Sequence, residues 1–349
     1  AVSLSPTGET YDENTTVTLT PQPASGYEFD SWTGTDAADV TDNGNGTFEI
    51  TMDGNKDLTA NFVETVTATG WTIIGSAGFS AGEVNNTSIE LDSSGNPYVA
   101  FEDVANGGGS TVMRFDGTSW TTVGSAAFSS GVADDLAFVL DGNDTPYVAY
   151  QDEANSNLAT VEMYDGSSWN LVGSGGISAG SASTIDIQIL PSTDAPYIVY
   201  RDFSENNEPS VWTYNTTSWD LVGNGAFTLD DVAETVLAFD NDGVPYVAYG
   251  YSFNGKARVR KYDGTSWTAV GNTDFSTGGV RDVSIAFDST NTPYVSYVDE
   301  GLSSKAVVMT LNGTTWEPVG TEGFTTGQVY DPSELVVDSS FRLANREGT

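Results

Sequence analysis

Aspartates recur at one position along this sequence, and their spacing raises the first chemical hypothesis. Each ends a short run of apolar and aromatic residues: Asp103, Asp152, Asp202 and Asp299, with Tyr251 at the corresponding place in the fourth run. Arg201 directly precedes one of them. Carboxylates brought to one rim can coordinate Ca²⁺, or bind sugar hydroxyls together with Arg201 and Tyr251. Alternatively, each aspartate caps its own loop by accepting backbone N–H groups.

The residue types that are missing exclude several kinds of chemistry. The 349 residues contain no His and no Cys, which rules out a Ser-His-Asp triad, a thiol nucleophile, a disulfide and a zinc site built on these ligands. The 49 Asp and Glu against 11 Lys and Arg give a formal net charge of −38, which repels phosphate backbones and anionic lipid. No stretch approaches the apolar length of a membrane span. We therefore predict no nucleic-acid partner and no membrane insertion.

A repeat of about 49 residues organises most of the chain. Six tryptophans are spaced 49, 49, 50, 48 and 49 residues apart: Trp71, Trp120, Trp169, Trp219, Trp267 and Trp316. In each of five units a proline opens a run reading PYVAF, PYVAY, PYIVY, PYVAY or PYVSY. Four short strands at this period are typical of β-propeller blades. Because the tryptophans recur identically, we predict that they pack between blades and do not form a sugar-stacking set.

The phase of the repeat predicts how the propeller closes. Residues 70–75 match only the fourth strand of a unit, five complete units follow, and residues 334–338 begin a sixth. Since an open sheet edge exposes unpaired backbone groups, propellers complete one blade from both chain ends. We predict an all-β fold with a six-bladed propeller. Residues 341–349 do not match the PYVAY run, so we expect an incomplete last blade and a chain that is a fragment of a longer protein.

The first 64 residues do not fit the repeat and carry a different motif. They read GYEFDSW at residues 26–32 and TMDGNKDLTANF at residues 51–62. This pattern resembles the divergent internalin-type B-repeat, also called the Listeria–Bacteroides repeat. The resemblance implies a small β module of secreted and cell-surface bacterial proteins, and the 49-residue repeat likewise resembles blades of large secreted bacterial proteins. We predict a module at residues 1–64, a linker at 65–69 and the propeller at 70–349.

Two further features could mark contact surfaces. The loop after the second strand differs between units whereas the hairpin turns are alike, which indicates either a binding rim or neutral drift. Lys256, Arg258 and Arg260 alternate onto one strand face. They would attract an acidic partner, including a second copy of this chain, unless that face is solvated or internally paired. Trp212 is outside the tryptophan register and is expected to be exposed.

The leading functional prediction is a non-enzymatic extracellular binding or adhesion segment of a larger bacterial surface protein in a saline environment. Its propeller rim would contact a glycan or a surface protein. One alternative is a structural subunit of an extracellular assembly or filament. The other is a carboxylate-dependent glycosidase or lyase, whose catalytic acids the sequence does not single out. No cofactor is required by any of these, and Ca²⁺ is the one candidate.

Overall fold

The structure is all-β and divides into two compact units, Ala1–Ile73 and Ile74–Thr349. The computed structural model describes residues 2–8, 10–24, 27–64, 72–228, 231–251 and 255–329. These residues form seven antiparallel sheets, of which six have four strands and one has two. Within the described part, no helix is long and apolar enough to cross a bilayer.

The first unit contains two sheets. Its strands are β1 (Val2–Ser5), β2 (Thr15–Pro21), β3 (Tyr27–Thr33), β4 (Thr41–Asp42), β5 (Phe48–Met52) and β6 (Thr59–Glu64), with a 3-10 helix at Ala37–Asp39. One sheet has the order β1-β2-β5-β4, and β3 pairs with β6. Val17, Leu19 and Ile50 are buried at the centre. The predicted small β module at residues 1–64 corresponds to these six strands.

The described residues of the second unit form five four-stranded blades. Their strands are β7 (Val84–Leu91), β8 (Pro97–Asp103), β9 (Gly109–Phe115) and β10 (Trp120–Thr122); β11 (Ala133–Leu140), β12 (Pro146–Asp152), β13 (Leu158–Tyr164) and β14 (Trp169–Leu171); β15 (Ala182–Leu190), β16 (Ala195–Asp202), β17 (Glu208–Tyr214) and β18 (Trp219–Leu221); β19 (Val232–Phe239), β20 (Pro245–Tyr251), β21 (Ala257–Tyr262) and β22 (Trp267–Ala269); β23 (Val280–Phe287), β24 (Pro293–Asp299), β25 (Lys305–Asn312) and β26 (Thr315–Pro318). We call these groups blades 1 to 5. Short 3-10 helices follow the second strands at Val104–Asn106, Glu153–Asn155, Phe203–Glu205 and Glu300–Leu302.

Consecutive blades are arranged around their first strands. Within each blade the four strands pair in chain order, and β7, β11, β15, β19 and β23 lie side by side between neighbouring blades. The second strands carry the core: six of the seven residues of β12 are buried. This explains the PYVAY runs, because a strand covered on both faces is apolar at consecutive positions.

The predicted count of six blades is corrected by this structure. The seven sheets comprise two in the first unit and five blades in the second. The predicted closing blade combines residues 70–75 with residues 334–338. Residues 72–75 form no strand, and residues 70, 71 and 334–338 lie outside the described residues. A strand at 72–75 would need a paired neighbour for its backbone groups, and the described part supplies none.

The repeated tryptophans pack between blades, as predicted. The indole N–H donates to a backbone carbonyl at the end of the preceding unit at Trp120, Trp169, Trp219, Trp267 and Trp316. For Trp169 the acceptor is Val123, at 2.9 Å. The ring of Trp169 also stacks on Phe128 with centroids 4.0 Å apart and an interplanar angle of 4°. The same pair of contacts recurs at Trp120, Trp267 and Trp316. The repeat therefore encodes the joint between one blade and the next.

The hairpin turns are held by aspartate side chains. Between the third and fourth strands of blade 2, Asp165 accepts the N–H groups of Ser167 and Ser168, both at 2.8 Å. Hydrogen bonds from the Ser167 hydroxyl and from these N–H groups lower the pKa of Asp165 to about 2. In blade 3 the same place is taken by Asn215, which accepts two N–H groups without a charge.

We expect Asp165→Asn to lose its effect on stability as the pH falls. The folded pKa of Asp165 lies below its unfolded value, so its contribution is fully present above pH ~4 and disappears as the pH approaches ~2. Urea midpoints should therefore be lower for the variant near pH 7 and converge with the wild type near pH 2 to 3. A difference of the same size at both pH values would contradict the assigned hydrogen bonds.

Candidate functional site

The predicted rim aspartates lie where the second strands end, and each is buried in the loop of its own blade. Asp103, Asp152, Asp202 and Asp299 are between 1% and 4% exposed. Asp152 accepts the N–H of Ala154 at 3.1 Å, and equivalent bonds reach Asp202 and Asp299 from the residue two positions on. These contacts are those of the capping interpretation. A role of these residues in binding a ligand stays a prediction.

The structure does not assemble these carboxylates into a calcium site. Among the described residues, no group of three or more acidic side chains is placed to hold a metal ion. Asp103 shows why: its Oδ2 accepts from Asn106 at 2.8 Å and from Thr111 at 3.1 Å, both within its own blade. A Ca²⁺ ion needs six to eight oxygen ligands around one point. The described geometry offers Ca²⁺ no such set.

Arg201 and Tyr251, the other predicted rim residues, each take part in a cation–π contact. The guanidinium of Arg201 lies 5.0 Å from the ring centroid of Phe203, and its Nη2 donates to Asp231 at 2.7 Å. Phe203 is 47% exposed. The ring of Tyr251 lies 4.4 Å beneath the guanidinium of Arg258. Blades 3 and 4 therefore each present an arginine on an aromatic ring at this rim.

The predicted partner surface consists of three basic residues, and each of them forms hydrogen bonds to other groups of the second unit. Lys256 donates to the carbonyl of Ser276 at 2.9 Å, and Arg258 donates to Asp274 at 2.6 Å. Arg260 donates to the hydroxyl of Tyr249 at 3.3 Å. These contacts correspond to the alternative prediction, in which the basic residues of this strand face are paired internally. Self-association through these residues stays a prediction.

Trp212, expected to be exposed, instead packs against the apolar cluster of blades 2 and 3. It lies in β17, opposite Ile198 of the neighbouring strand. Its position outside the tryptophan register reflects a different place in the blade, on the third strand, where a large ring fills the space beside Ile198. The expectation of exposure was therefore wrong.

A central channel runs between the first strands, and all five blades contribute to its wall. Its cavity has a volume of about 610 Å³. Each blade contributes to the wall from its first strand, as Ser88, Ala137, Gln188, Val236 and Ser284 do. A smaller cavity of about 490 Å³, at the end of the first strands nearest the variable loops, is lined by Asn85, Asn86, Thr87, Asp135, Leu136, Thr184 and Ile185. We call that end the channel mouth.

Every first strand has an irregularity at the channel mouth. The register between the first and second strands shifts at this point in all five blades, between Asp134 and Ala137 in blade 2 and between Arg281 and Ser284 in blade 5. Such bulges turn an extra side chain out of the alternating pattern. We call the residues at this repeat position the bulge residues; in blades 1 to 5 they are Asn86, Asp135, Thr184, Glu234 and Asp282. In blade 4 the register shift falls one residue earlier, at Ala233, and Glu234 itself pairs with Gly250.

Some of these side chains join one blade to the next. Asp135 accepts the N–H of Thr184 at 3.1 Å, and Glu234 accepts the N–H of Val283 at 3.1 Å. The hydroxyls of Thr184 and Thr235 are 3.2 Å apart. Since a bulge leaves strand N–H groups without a ladder partner, a carboxylate from the preceding blade satisfies them.

Burial alters the acidity of two of these groups. It raises the pKa of Asp135 against the opposing hydrogen bond from Thr184, and the charge of the adjacent Asp134 adds to the shift. Burial also raises the pKa of Glu234, and the nearby Asp282 adds to that shift, while the N–H of Val283 opposes it. Carboxylates with raised pKa values in a cleft are candidates for proton transfer, although inter-blade bonding accounts for their placement equally well.

Sequence analysis missed the channel mouth, although a signal was present. The five bulge residues are spaced 49, 49, 50 and 48 residues apart, in step with the tryptophans, and all five are polar. A polar residue at one register position of every apolar first strand indicates a shared special environment. The predicted site residues come from the loops and turns, where variation between units is conspicuous, and not from the first halves of these strands.

The fold and the channel define the second unit as a β-propeller, and the channel mouth is the candidate site that its first strands form. Residues 2–66, within the first unit, match the family described as Divergent InlB B-repeat domain. No curated protein matches the sequence.

Solved structures resemble the chain in fold. The SapL1 lectin in complex with alpha methyl fucoside has a TM-score of 0.51 at 14% identity, covering 72% of this chain and 84% of the lectin. The Penicillium chrysogenum alpha-L-arabinanase complexed with arabinobiose has a TM-score of 0.48 at 12% identity, covering 75% of this chain and 87% of the enzyme. A protein of unknown function from Dyadobacter fermentans has a TM-score of 0.45 at 14% identity, covering 70% and 84%. At these identities the likeness concerns the fold alone.

Proposed function

We propose that this chain is a non-enzymatic binding segment of an extracellular bacterial protein, and that its propeller binds a neutral carbohydrate at the channel mouth. The observation that carries the proposal is the ring of bulge residues. Five blades with the same scaffold carry a polar residue at this position, and the residue differs between most blades. Asn86, Asp135 and Thr184 line the cavity at the channel mouth, and Asp282 lines the channel cavity. Packing alone would favour the same residue in every blade, whereas recognition of an asymmetric ligand favours different ones.

The chemistry of the opening fits hydroxyl groups. The walls of both channel cavities carry amide, hydroxyl and carboxylate side chains together with apolar ones, and no Lys or Arg. Amides and hydroxyls both donate and accept hydrogen bonds, and carboxylates accept them. An anionic ligand would meet repulsion from Asp135, Asp186 and Asp282, which line these cavities. A neutral sugar chain supplies donors and acceptors without that repulsion.

The extracellular assignment rests on the first unit and on the composition. A B-repeat module at residues 2–66 is consistent with a protein of the bacterial exterior. A net charge of −38 suits a saline exterior, where screening shortens the range of repulsion to about 8 Å or less. In this arrangement the first unit acts as a spacer, and the propeller contacts a glycan on a surface.

Thr87→Val tests the proposal with little structural disturbance. Thr87 is exposed, lines both channel cavities and forms no hydrogen bond with its side chain among the described residues. A glycan array with and without calcium identifies the ligand, and calorimetry then measures its affinity. We expect the variant to bind about fivefold more weakly, as loss of one neutral hydrogen bond predicts.

Thr118→Val is the matched control. Thr118 lies in the turn between β9 and β10 of the same blade, is exposed, and likewise uses no side-chain hydrogen bond. Its affinity for the glycan should equal that of the wild type. An array without a carbohydrate ligand, or equal binding by the Thr87→Val variant, would reject the channel mouth as a carbohydrate site.

The raised pKa values favour a second candidate, a carboxylate-dependent glycosidase. In that case Glu234, whose pKa burial raises, serves as the general acid, with Asp135 as its partner carboxylate. The two candidates differ in one measurement: incubation of the wild type with the glycan that it binds. Hydrolysis that is abolished by Glu234→Gln would establish the enzyme, whereas binding without turnover supports the binding segment.

A further inference from the structure

A second cavity lies between blades 1 and 2, on the side of the hairpin turns and therefore at the opposite end of the blades from the channel mouth. Its volume is about 610 Å³. We call it the inter-blade groove. Blade 1 contributes Tyr98, Arg114, Thr121 and Val123, and blade 2 contributes Asp144, Thr145, Pro146, Met163, Tyr164, Asp165 and Gly166. A cavity of this size accommodates a small ligand.

Arg114 is the most informative residue of the groove. Its Nη2 donates to Asp92 at 3.0 Å, and its guanidinium lies 5.4 Å from the ring centroid of Tyr98. That ion pair and ring hold the side chain in place, although it is 42% exposed. A guanidinium has five N–H donors. Among the described residues only Nη2 of Arg114 has an acceptor, and Nε is buried without one. Nη1 is therefore the nitrogen of this fixed cation that is left to donate into the cavity.

The rest of the wall adds complementary groups. The hydroxyls of Tyr98 and Tyr164 have no hydrogen-bond partner in the described part of the chain, and both residues line the groove. The carboxylate of Asp144 accepts from the backbone and hydroxyl of Ser93 at 2.7 and 2.6 Å, which fixes its orientation. Met163 and Pro146 supply an apolar wall. Oriented donors, an oriented acceptor and an apolar surface thus converge.

The charges around the groove define the ligand further. Arg114 contributes one positive charge, against the carboxylates of Asp92, Asp144 and Asp165. The surroundings are therefore net negative, and an anion would be repelled in spite of the arginine. A polyhydroxylated ring without charge accepts from the guanidinium, donates to Asp144 and packs its C–H face on Met163 and the tyrosine rings.

We propose that the inter-blade groove binds a single neutral sugar residue, independently of the channel mouth. The site is particular to the first pair of blades. The positions that correspond to Arg114 in the later blades are occupied by Met163, Thr213, Lys261 and Thr310. Only Lys261 is also a cation, and it lies 5.9 Å from the ring centroid of Tyr246.

Titration of the full chain with methyl glycosides of glucose, galactose and mannose tests this site. We expect saturable binding of at least one of them to the wild type and a loss of at least tenfold in Arg114→Met, which copies the residue of blade 2. Lys261→Met removes the equivalent cation of blade 4 and should leave binding unchanged. Methyl glucuronide should bind more weakly than methyl glucoside, because the three carboxylates repel it.

Tyr164→Phe keeps the proposal testable if Arg114→Met does not fold. It removes only an unpaired hydroxyl and should weaken binding about fivefold. Absence of saturable binding, equal affinity of the wild type and both groove variants, or tighter binding of methyl glucuronide would overturn the proposal. Glycoside binding that is lost in Arg114→Met but kept in Thr87→Val assigns the ligand to the groove, and the reverse pattern assigns it to the channel mouth. Failure of this proposal is therefore distinguishable from failure at the channel mouth.

Discussion

Replacing Trp267 by alanine is expected to lower the free energy of unfolding by ~3–5 kcal/mol, the range for a buried aromatic residue truncated in a packed core. Trp267 is 6% exposed and lies in the joint between blades 3 and 4. Its ring stacks on Phe227 with centroids 4.5 Å apart, and its indole N–H donates to the carbonyl of Val222 at 2.9 Å. The alanine variant loses both contacts and leaves that carbonyl unpaired in a cavity.

Two further variants separate the contributions to this joint. Trp267→Phe retains an aromatic ring on Phe227 but has no N–H, so we expect it to cost about 1–2 kcal/mol. Trp120→Ala makes the same change in blade 1, where the indole is only partly buried, and should cost less than Trp267→Ala. Urea denaturation followed by circular dichroism measures all three. A cost below about 1 kcal/mol for Trp267→Ala would show that the stack contributes little.

The joint also explains why the architecture could be predicted from sequence. The tryptophan, the apolar second strand and the aspartate turn each form contacts that recur from blade to blade. The spacing of these residues in the sequence therefore gives the length of one blade. Asp165 and Asn215 differ in charge but accept the same backbone N–H groups. Local hydrogen-bond chemistry of this kind is visible in the residue types themselves. The number of blades is a property of ring closure and is not encoded in any single unit.

The candidate site depends on geometry that alternation cannot express. A bulge shifts the side chains of Asp135 and Glu234 relative to the two-residue period, so they cannot be assigned to a face by counting. The rim aspartates lie where the sequence predicts them, but their role depends on the fold. Asp152 and Asp299 stand at a place suited to ligands, but the backbone turn beside each of them uses its carboxylate. Whether an acid binds a ligand or a loop depends on N–H groups that only the fold brings near.

The variable loops differ in their side chains from blade to blade but share one pattern of backbone hydrogen bonds. In blade 2 the carbonyl of Asn157 accepts the N–H of Ala182 at 2.9 Å, and in blade 3 the carbonyl of Asn207 accepts that of Val232 at 3.1 Å. Asn157 and Asn207 both have positive φ values, 61° and 65°. The loops therefore connect each blade to the next in the same way while their sequences differ. Because this backbone connection is the same in both blades, the side chains at the channel mouth can differ without disrupting the arrangement of the blades.

Gly278→Ala is expected to be the most disruptive small substitution in this part of the propeller. A Cβ at Gly278 would lie 2.1 Å from the backbone nitrogen of Gly301 and 2.5 Å from its Cα, so the backbone of one loop must move. The N–H groups of Gly278 and Gly301 both donate to Asp299 at 2.8 Å. Separation of the two loops would weaken the bonds that surround this buried carboxylate. We expect a loss of about 3 kcal/mol in the free energy of unfolding from overpacking and lost hydrogen bonds together.

Gly327→Ala is the matched control for this substitution, because Gly327 holds the same repeat position one unit later. A Cβ there would meet no atom of the described residues within 4 Å, and its φ is not in the left-handed region. Its stability should change by no more than about 0.5 kcal/mol in urea denaturation. Equal effects of the two variants on the free energy of unfolding would mean that the loop of blade 5 moves aside without weakening the hydrogen bonds of Asp299. Another residue could then replace Asp299 as the cap of its loop. A large effect confined to Gly278→Ala would instead show that the close approach of the two loops is what keeps Asp299 buried and engaged in its loop.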